Sequence, residues 1–191
     1  MDAFDFELNV ESLNKNIAPT VTPGTTPALK EACCACLKNN HHSSGVKFDI
    51  SGTFTKKAAL FWDEEISFEI VKQWDPDDAA QWGAACIAMI LIPSLTDLQV
   101  VERYYKNSGG GFDYWLAKKD TIPTGLTYAN NDFAGRLEVS GIHSGKKTDV
   151  NSRVKRKKDQ VTRSDDSGKP AYIIVVEFKA PMANASIKNH E

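Results

Sequence analysis

Two isolated carboxylates stand out in the sequence, because each interrupts an apolar segment. Asp113 follows three glycines in GGGFDYWLAKK, and Glu138 lies in the middle of AGRLEVSGIH. If neighbouring strands bring them together, either one carboxyl pKa rises or the pair binds a divalent cation, which prefers oxygen ligands. Mg²⁺ or Mn²⁺ suits such a pair and supports phosphodiester hydrolysis. The alternative is that both side chains face solvent, while the flanking apolar residues face the core.

A basic segment follows the second carboxylate. Residues 146–163 contain many more lysines and arginines than aspartates, whereas the formal net charge of the chain is only -2. Val150, Val154 and Val161 recur at helical spacing and define one apolar face, which Lys157 shares. We therefore expect Lys157 to lean inward, either as a functional cation or as a side chain whose stem packs on the valines.

The other basic residues of this segment are expected to point to solvent. They either contact phosphates of a nucleic acid or form an ordinary solvated helix face. The candidates for phosphate contacts are Arg153, Lys155, Arg156, Lys158 and Arg163.

The pattern of elements around these residues predicts an α/β (α+β) protein. DPDDAAQWGAACIAMILIP has a capping aspartate and a proline at the first helical position, and predicts a buried helix that ends at Pro93. Three strands, a helix and a further strand then follow. Their segments are LQVVERYY, FDYWLAKK, AGRLEVSGIH, DVNSRVKRKKDQVTR and AYIIVVEF.

Residues 75–191 are thus predicted to form the main unit, with residues 1–74 as an N-terminal annex. The annex is expected to contain a strand, a linker rich in Pro, Thr and Gly, a helix, a strand and a second helix. These lie in FDFELNV, APTVTPGTTP, Ala28–Leu37, VKFDISGTF and DEEISFEIVKQW.

The four cysteines do not suggest a disulfide framework. Cys33, Cys34 and Cys36 are clustered and Cys86 lies in an apolar segment, which is typical of a cytoplasmic protein. Cys33, Cys36 and His41 have the beginning of a zinc-site spacing, but no fourth ligand follows. Packing of the thiols on a helix is therefore favoured over structural Zn²⁺. We expect no membrane association, because no signal peptide is evident and no apolar run approaches about 18 residues.

The tryptophans lie on different predicted elements. Trp62, Trp74, Trp82 and Trp115 are therefore interpreted as core or rim packing rather than as platforms on which bases stack.

The segments GFDYWL and RLEVSG, with the order of elements around them, resemble the PD-(D/E)XK nuclease superfamily. The resemblance covers about residues 75–179. It implies a restriction-endonuclease-like fold, with an αβββαβ core, a central mixed sheet, and the motif aspartate and glutamate on adjacent strands.

The resemblance implies roles for individual residues. Asp113 corresponds to the motif aspartate and Glu138 to the motif glutamate, and the backbone carbonyl of Val139 to a third ligand of Mg²⁺ or Mn²⁺. The family has a lysine two residues after the glutamate, where this chain has Ser140. That lysine orients or deprotonates the attacking water and stabilises charge on the phosphate.

In some members of the superfamily this lysine has migrated to the following helix. Lys157 is therefore the candidate replacement, and Gln160 resembles the helix glutamine of RecB-like members.

Three functions remain open from the sequence. The first is metal-dependent hydrolysis of nucleic acid by Asp113, Glu138, Ser140, Lys157 and Gln160. The second is a catalytically inactive binding module, with a protein partner, acting as an accessory or immunity-like subunit of a bacterial defence or toxin system. The third is a globular protein without a nucleic-acid role.

Overall fold

A computed structural model describes residues 3–18, 21, 23–63, 66–104, 110–121, 128 and 130–189. The strands in these residues are β1 (Phe6–Asn9), β2 (Val46–Gly52), β3 (Lys56–Phe61), β4 (Leu98–Arg103), β5 (Tyr114–Lys118), β6 (Gly135–Ile142), β7 (Ala171–Glu177) and β8 (Met182–Lys188). The helices are α1 (Leu13–Asn16), α2 (Thr26–Asn39), α3 (Phe68–Val71), α4 (Pro76–Leu95) and α5 (Lys147–Val161).

The strands form one eight-stranded sheet in the order β1-β3-β2-β8-β7-β6-β5-β4. The pairs β1–β3, β2–β8 and β6–β7 are parallel, and the others are antiparallel. The expected α/β class with a mixed sheet is therefore confirmed. Residues 1–74 supply β1, β2 and β3, which extend the same sheet beyond β8.

Helix α4 is the core helix on one face of the sheet. It begins as its sequence predicts, because the Asp75 side chain accepts hydrogen bonds from the N–H groups of Asp77 and Asp78. It ends at Leu95 rather than at Pro93. A proline in the last turn removes only one backbone hydrogen bond, and the N–H of Thr96 closes the turn on the Ile92 carbonyl.

By length and composition α4 is long and apolar enough to cross a membrane, with a mean hydropathy of 1.3. Its uninterrupted apolar run is shorter than the helix, because it begins only after Gln81. However, 67% of its most apolar window is buried inside the protein, against α2 and the sheet. Such burial is what the core helix of a soluble protein shows, and the cytoplasmic location stays a prediction.

The periodicity of the sequence does not predict two of the strands, β3 and β8. β3 begins with two lysines and contains two alanines, and β8 is rich in alanine and contains Asn184, so neither has a strong strand composition. Pairing holds them in place, because β8 lies between β2 and β7, and β3 lies between β1 and β2. Tertiary contacts thus override weak local preference.

The helix predicted over DEEISFEIVKQW is reduced to the single turn of α3, with residues 64 and 65 outside the described part of the chain. Phe68 and Ile70 in this turn are exposed. A helix needs a buried apolar face for most of its stability, and these side chains do not provide one.

Strand β6 is covered on both faces. Its odd-numbered side chains Leu137 and Val139 pack in the main core with α4, and its even-numbered side chains face α5. Residues 135–141 are consequently all buried. β6 approaches α4 closely at Gly141, where an added Cβ would lie 1.9 Å from the Ala80 carbonyl oxygen.

Replacing Gly141 with alanine should therefore push β6 away from α4 and destabilise the protein. We expect Gly141→Ala to lower the free energy of unfolding by about 3 kcal/mol, as measured by urea denaturation. Gly24→Ala is the matched control, because an added Cβ there meets no atom within 4 Å. Equal stability of the two variants would contradict the close approach.

Candidate active site

The face of β6 that meets α5 carries three buried polar side chains, Arg136, Glu138 and Ser140. Each one bonds to α5 or to the turn that follows it. Two residues of a strand advance by about 6.6 Å and four residues of a helix by about 6 Å, so the two elements keep nearly the same register. Helix α5 runs antiparallel to β6, because it connects β6 to its parallel neighbour β7.

Arg136 fixes the C-terminal end of α5. Its guanidinium is fully buried and donates to the carbonyls of Val161 and Lys169, each at 3.0 Å. It also donates to the Ser164 hydroxyl at 2.7 Å and pairs with Asp165 at 2.9 Å. A cation at this place satisfies a terminal carbonyl of the helix and complements its dipole.

Glu138 lies one step further along β6 and is 1% exposed. Its Oε1 accepts hydrogen bonds from the Lys157 ammonium and, at 3.0 Å, from the Gln160 amide. Lys157 also donates to Gln160 Oε1 at 3.1 Å. Oε2 is buried and meets no N–H or O–H donor among the described residues. The Asp113 carboxyl is close enough to share a proton with Glu138 when one of the two acids is protonated. The alternative in which Glu138 faces solvent is therefore wrong, because α5 covers that face of the strand.

Asp113 lies immediately before β5 and not within it. Its backbone N–H donates to the Leu137 carbonyl at 2.9 Å, and its Oδ2 accepts from the Val139 N–H at 2.8 Å. In an extended strand the N–H and C=O of one residue point to the same side, so the Val139 carbonyl also points toward Asp113. The three predicted metal ligands, Asp113, Glu138 and Val139, are thus neighbours.

The carboxyl pKa values of Asp113 and Glu138 are both raised, mainly because the two groups are buried. Burial, followed by repulsion from Asp113, raises the pKa of Glu138 to about 7, although Lys157 acts in the opposite direction. Burial also raises the pKa of Asp113, against the hydrogen bond from Val139 and the charge of Lys157. Buried acids with raised pKa values beside a cation are typical of functional sites.

Ser140 occupies the last position of this face and accepts a hydrogen bond from Arg153 at 2.8 Å. Arg153 is half-buried, and burial lowers its pKa. It thus differs from Lys155, Arg156 and Lys158, which are exposed, as is Arg163. The inward position of Arg153 could have been predicted from the sequence, because residues 153, 157 and 161 recur every four positions and share one helix face.

A cavity of about 360 Å³ opens beside the carboxylates. Asp113, Val139 and Lys157 line one side, and Gln81 and Trp82 of α4 line another. Lys157 therefore contacts the buried Glu138 and also lines a cavity that a ligand can enter. Asp113, Glu138, Val139, Lys157 and Gln160, which the resemblance groups as site residues, lie together in the structure, and Arg153 lies beside Ser140. Their roles stay predictions.

The described residues contain no cluster of three or more His, Cys, Asp or Glu side chains suited to a metal ion. The carboxylate site would instead combine two acids with a backbone carbonyl, a hard oxygen set that fits Mg²⁺ or Mn²⁺. The four cysteines are buried. Burial raises the pKa of Cys34 and Cys36 to about 12, so without a bound metal these thiols are protonated at neutral pH.

Comparisons with models of known protein families, with curated proteins and with solved structures find no match for this chain. Any functional assignment therefore depends on the residues of the site.

The raised pKa of Glu138 predicts a specific pH dependence of stability. Its folded-state pKa of about 7 lies above the ordinary value of 4.5, so the folded state holds a proton that the unfolded state has lost between these pH values. The bound proton contributes fully to the free energy of unfolding below pH 4.5, and its contribution disappears as the pH rises through 7. The total change is about 3 kcal/mol.

We therefore expect the free energy of unfolding of the native protein to fall more steeply between pH 5 and pH 8 than that of Glu138→Gln. Urea denaturation at several pH values measures the difference. Glu7→Gln removes an exposed carboxylate of the same sheet and should keep the native slope. Equal slopes for native protein and Glu138→Gln would show that Glu138 is ionised throughout this range.

Proposed function

We propose that residues 75–179 form a restriction-endonuclease-like core and that the protein hydrolyses phosphodiester bonds of nucleic acid with Mg²⁺ or Mn²⁺. The order α4-β4-β5-β6-α5-β7 supports the proposed core, as does the adjacency of β5 and β6 in the sheet. The observation that carries the activity is the buried Glu138 carboxylate, which lies beside Asp113 and retains one oxygen without an N–H or O–H donor. Such an oxygen is costly to bury unless it binds something.

In this proposal Asp113, Glu138 and the Val139 carbonyl hold the ion. A bound Mg²⁺ or Mn²⁺ would supply positive charge to the phosphate and lower the pKa of a water molecule. Asp113 is held in place through its backbone and its carboxylate, by Leu137 and Val139 respectively. Little reorganisation of these ligands is then needed when the ion binds.

Lys157 takes the role that the family gives to its motif lysine. Glu138 and Gln160 both bond to its ammonium, and the same side chain reaches the 360 Å³ cavity. There it offsets the negative charge of a phosphate. Arg153 brings a second positive charge to Ser140, the position where the family has the lysine itself.

The exposed basic residues are proposed to contact the nucleic-acid backbone. Lys155, Arg156 and Lys158 lie on the solvent side of α5, and Arg163 follows the helix. Contacts between such cations and phosphates give affinity without sequence preference, and this affinity falls steeply with salt.

A second candidate function is a catalytically inactive binding module with a protein partner, such as an accessory or immunity-like subunit of a bacterial defence or toxin system. The observation in its favour is that Lys157 and Gln160 already neutralise Glu138 Oε1. An ion pair of this kind stabilises a former metal site without a metal. The two candidates differ in whether the protein binds a divalent ion and cuts.

The direct test is cleavage of a panel of DNA and RNA substrates with Mg²⁺ or Mn²⁺. We expect the native protein to cut at least one substrate, and Glu138→Gln to cut at least about 100-fold more slowly, because it loses a charged ligand. Glu7→Gln is the matched control and should cut at the native rate. Absence of cleavage by the native protein, together with absence of Mn²⁺ binding in a calorimetric titration, would support the inactive module.

Replacing Lys157 separates metal binding from chemistry. We expect Lys157→Met to bind Mn²⁺ more tightly than the native protein, because Glu138 no longer shares its charge with an ammonium, and to cut about 100-fold more slowly. Calorimetric titration and cleavage kinetics measure the two effects. Lys72→Met removes an exposed lysine outside the site and should change neither. An unchanged cleavage rate in Lys157→Met would exclude Lys157 from the reaction.

A further inference from the structure

A second cavity, of about 310 Å³, lies on the face of the sheet that carries α5. Four aromatic side chains form one wall: Tyr104, Phe112, Trp115 and Phe133. We call this space the aromatic cavity. Its volume is at the small end of the range for ligand pockets, about 300 to 1000 Å³. Its ligand is therefore expected to be small.

The aromatic wall consists of two stacked pairs set at an angle. The ring centroids of Tyr104 and Phe112 are 4.1 Å apart, and those of Trp115 and Phe133 are 4.4 Å apart. Phe112 meets Trp115 edge to face, at 4.6 Å and 70°. Within the described part of the chain, neither the Trp115 indole N–H nor the Tyr104 hydroxyl has a hydrogen-bond partner. The wall thus offers ring surface together with polar groups that a ligand can use.

The opposite side of the aromatic cavity is polar. It is formed by Asn130, Ser164, Asp166, Ser167 and Lys169. Ser164 is held rigidly, because its hydroxyl donates to the Val161 carbonyl and accepts from buried Arg136. Asn130 and Asp166 are exposed. One wall of the cavity therefore suits the flat face of a ligand, and the opposite wall can form hydrogen bonds with its polar edge.

The aromatic cavity adjoins the carboxylate site through one peptide unit. Phe112 lines the aromatic cavity, whereas Asp113, the next residue, lines the 360 Å³ cavity. The preceding residue packs tightly on the end of α5, since a Cβ at Gly111 would lie 2.8 Å from the Gln160 carbonyl and from the Ser164 hydroxyl. Residues 111–113 thus separate the two cavities, and only a ligand long enough to pass them contacts both.

We propose that the aromatic cavity binds an unpaired nucleobase beside the phosphate that Asp113 and Glu138 act on. A nucleobase has a flat face for the rings and a polar edge for Asn130 and its neighbours. A base within a duplex has no free face, so the substrate class is single-stranded nucleic acid or a strand with an extruded base. This inference rests on the proposed phosphodiester hydrolysis for the position of the phosphate.

The test compares two ligands that differ only in the base. Adenosine 5′-monophosphate and ribose 5-phosphate are titrated into the full chain by calorimetry without divalent metal. We expect the nucleotide to bind about tenfold more tightly or better, because stacking contributes only when a base is present. Equal affinities would overturn the inference.

Variants locate the base. Asn130→Ala and Trp115→Phe should each reduce the preference for the nucleotide by about threefold or more, because they remove a rim amide and an indole N–H. Asn151→Ala removes an exposed amide on α5, outside the cavity, and should keep the native preference. The same preference in all three variants would contradict binding of the base in the aromatic cavity.

The experiments distinguish a failure of nucleobase binding from a failure of the proposed hydrolysis. Glu138→Gln should keep the preference for the nucleotide, since Glu138 does not line the aromatic cavity. A base preference without cleavage by the native protein would support the aromatic cavity and refute hydrolysis. Cleavage with equal binding of the two ligands would refute the base inference alone.

Discussion

The matched advance of β6 and α5 is the constraint on which the site depends. Three buried polar groups on β6 each find partners on α5 or just beyond it: Ser140 with Arg153, Glu138 with Lys157, and Arg136 with the Val161 carbonyl. A shift of α5 along the strand would break all three contacts at once. Since an unpaired buried charge is very unfavourable, this register has few alternatives. The face that positions the site therefore also fixes the helix.

Burial and charge oppose each other in this layer. Closing α5 over β6 removes water from two carboxylates, which raises the pKa values of both Asp113 and Glu138. Lys157 and Arg153 approach from the helix and return positive charge to the same space. The layer is thus nearly balanced in charge but retains one acceptor without an N–H or O–H donor, Glu138 Oε2. A balanced layer of this kind can be stable alone and still receive a cation.

Much of the architecture could be predicted from local signals. The cap of α4 and the alternation of apolar and polar residues in VKFDISGTF, the segment of β2, identify these elements because each signal acts within a few residues. The burial of Glu138 could not be predicted by alternation, since a strand covered on both faces places apolar and polar side chains alike in the interior. β8 was also missed, because its place in the sheet comes from β2 and β7 and not from its own composition.

The aromatic cluster could not be predicted from the sequence either. Trp115 was interpreted as a core or rim residue, because the four tryptophans lie on different predicted elements. In the structure it clusters with Tyr104, Phe112 and Phe133. The β4–β5 pairing and the return of the chain into β6 bring them together. Linear separation says little about clustering in a sheet, where distant segments become neighbours.

The four thiols lie on the other side of the sheet, three of them on α2 and Cys86 on the adjoining α4. A thiol reagent attacks the thiolate, so burial protects all four sulfurs as long as the two helices stay together. The raised pKa values of Cys34 and Cys36 add to this protection. The rate at which the thiols are alkylated consequently reports how often α2 separates from α4. No cysteine lines either cavity, but Leu29 of α2 and Ala85 of α4 line the 360 Å³ cavity. A ligand in that cavity contacts both helices and should therefore slow the alkylation.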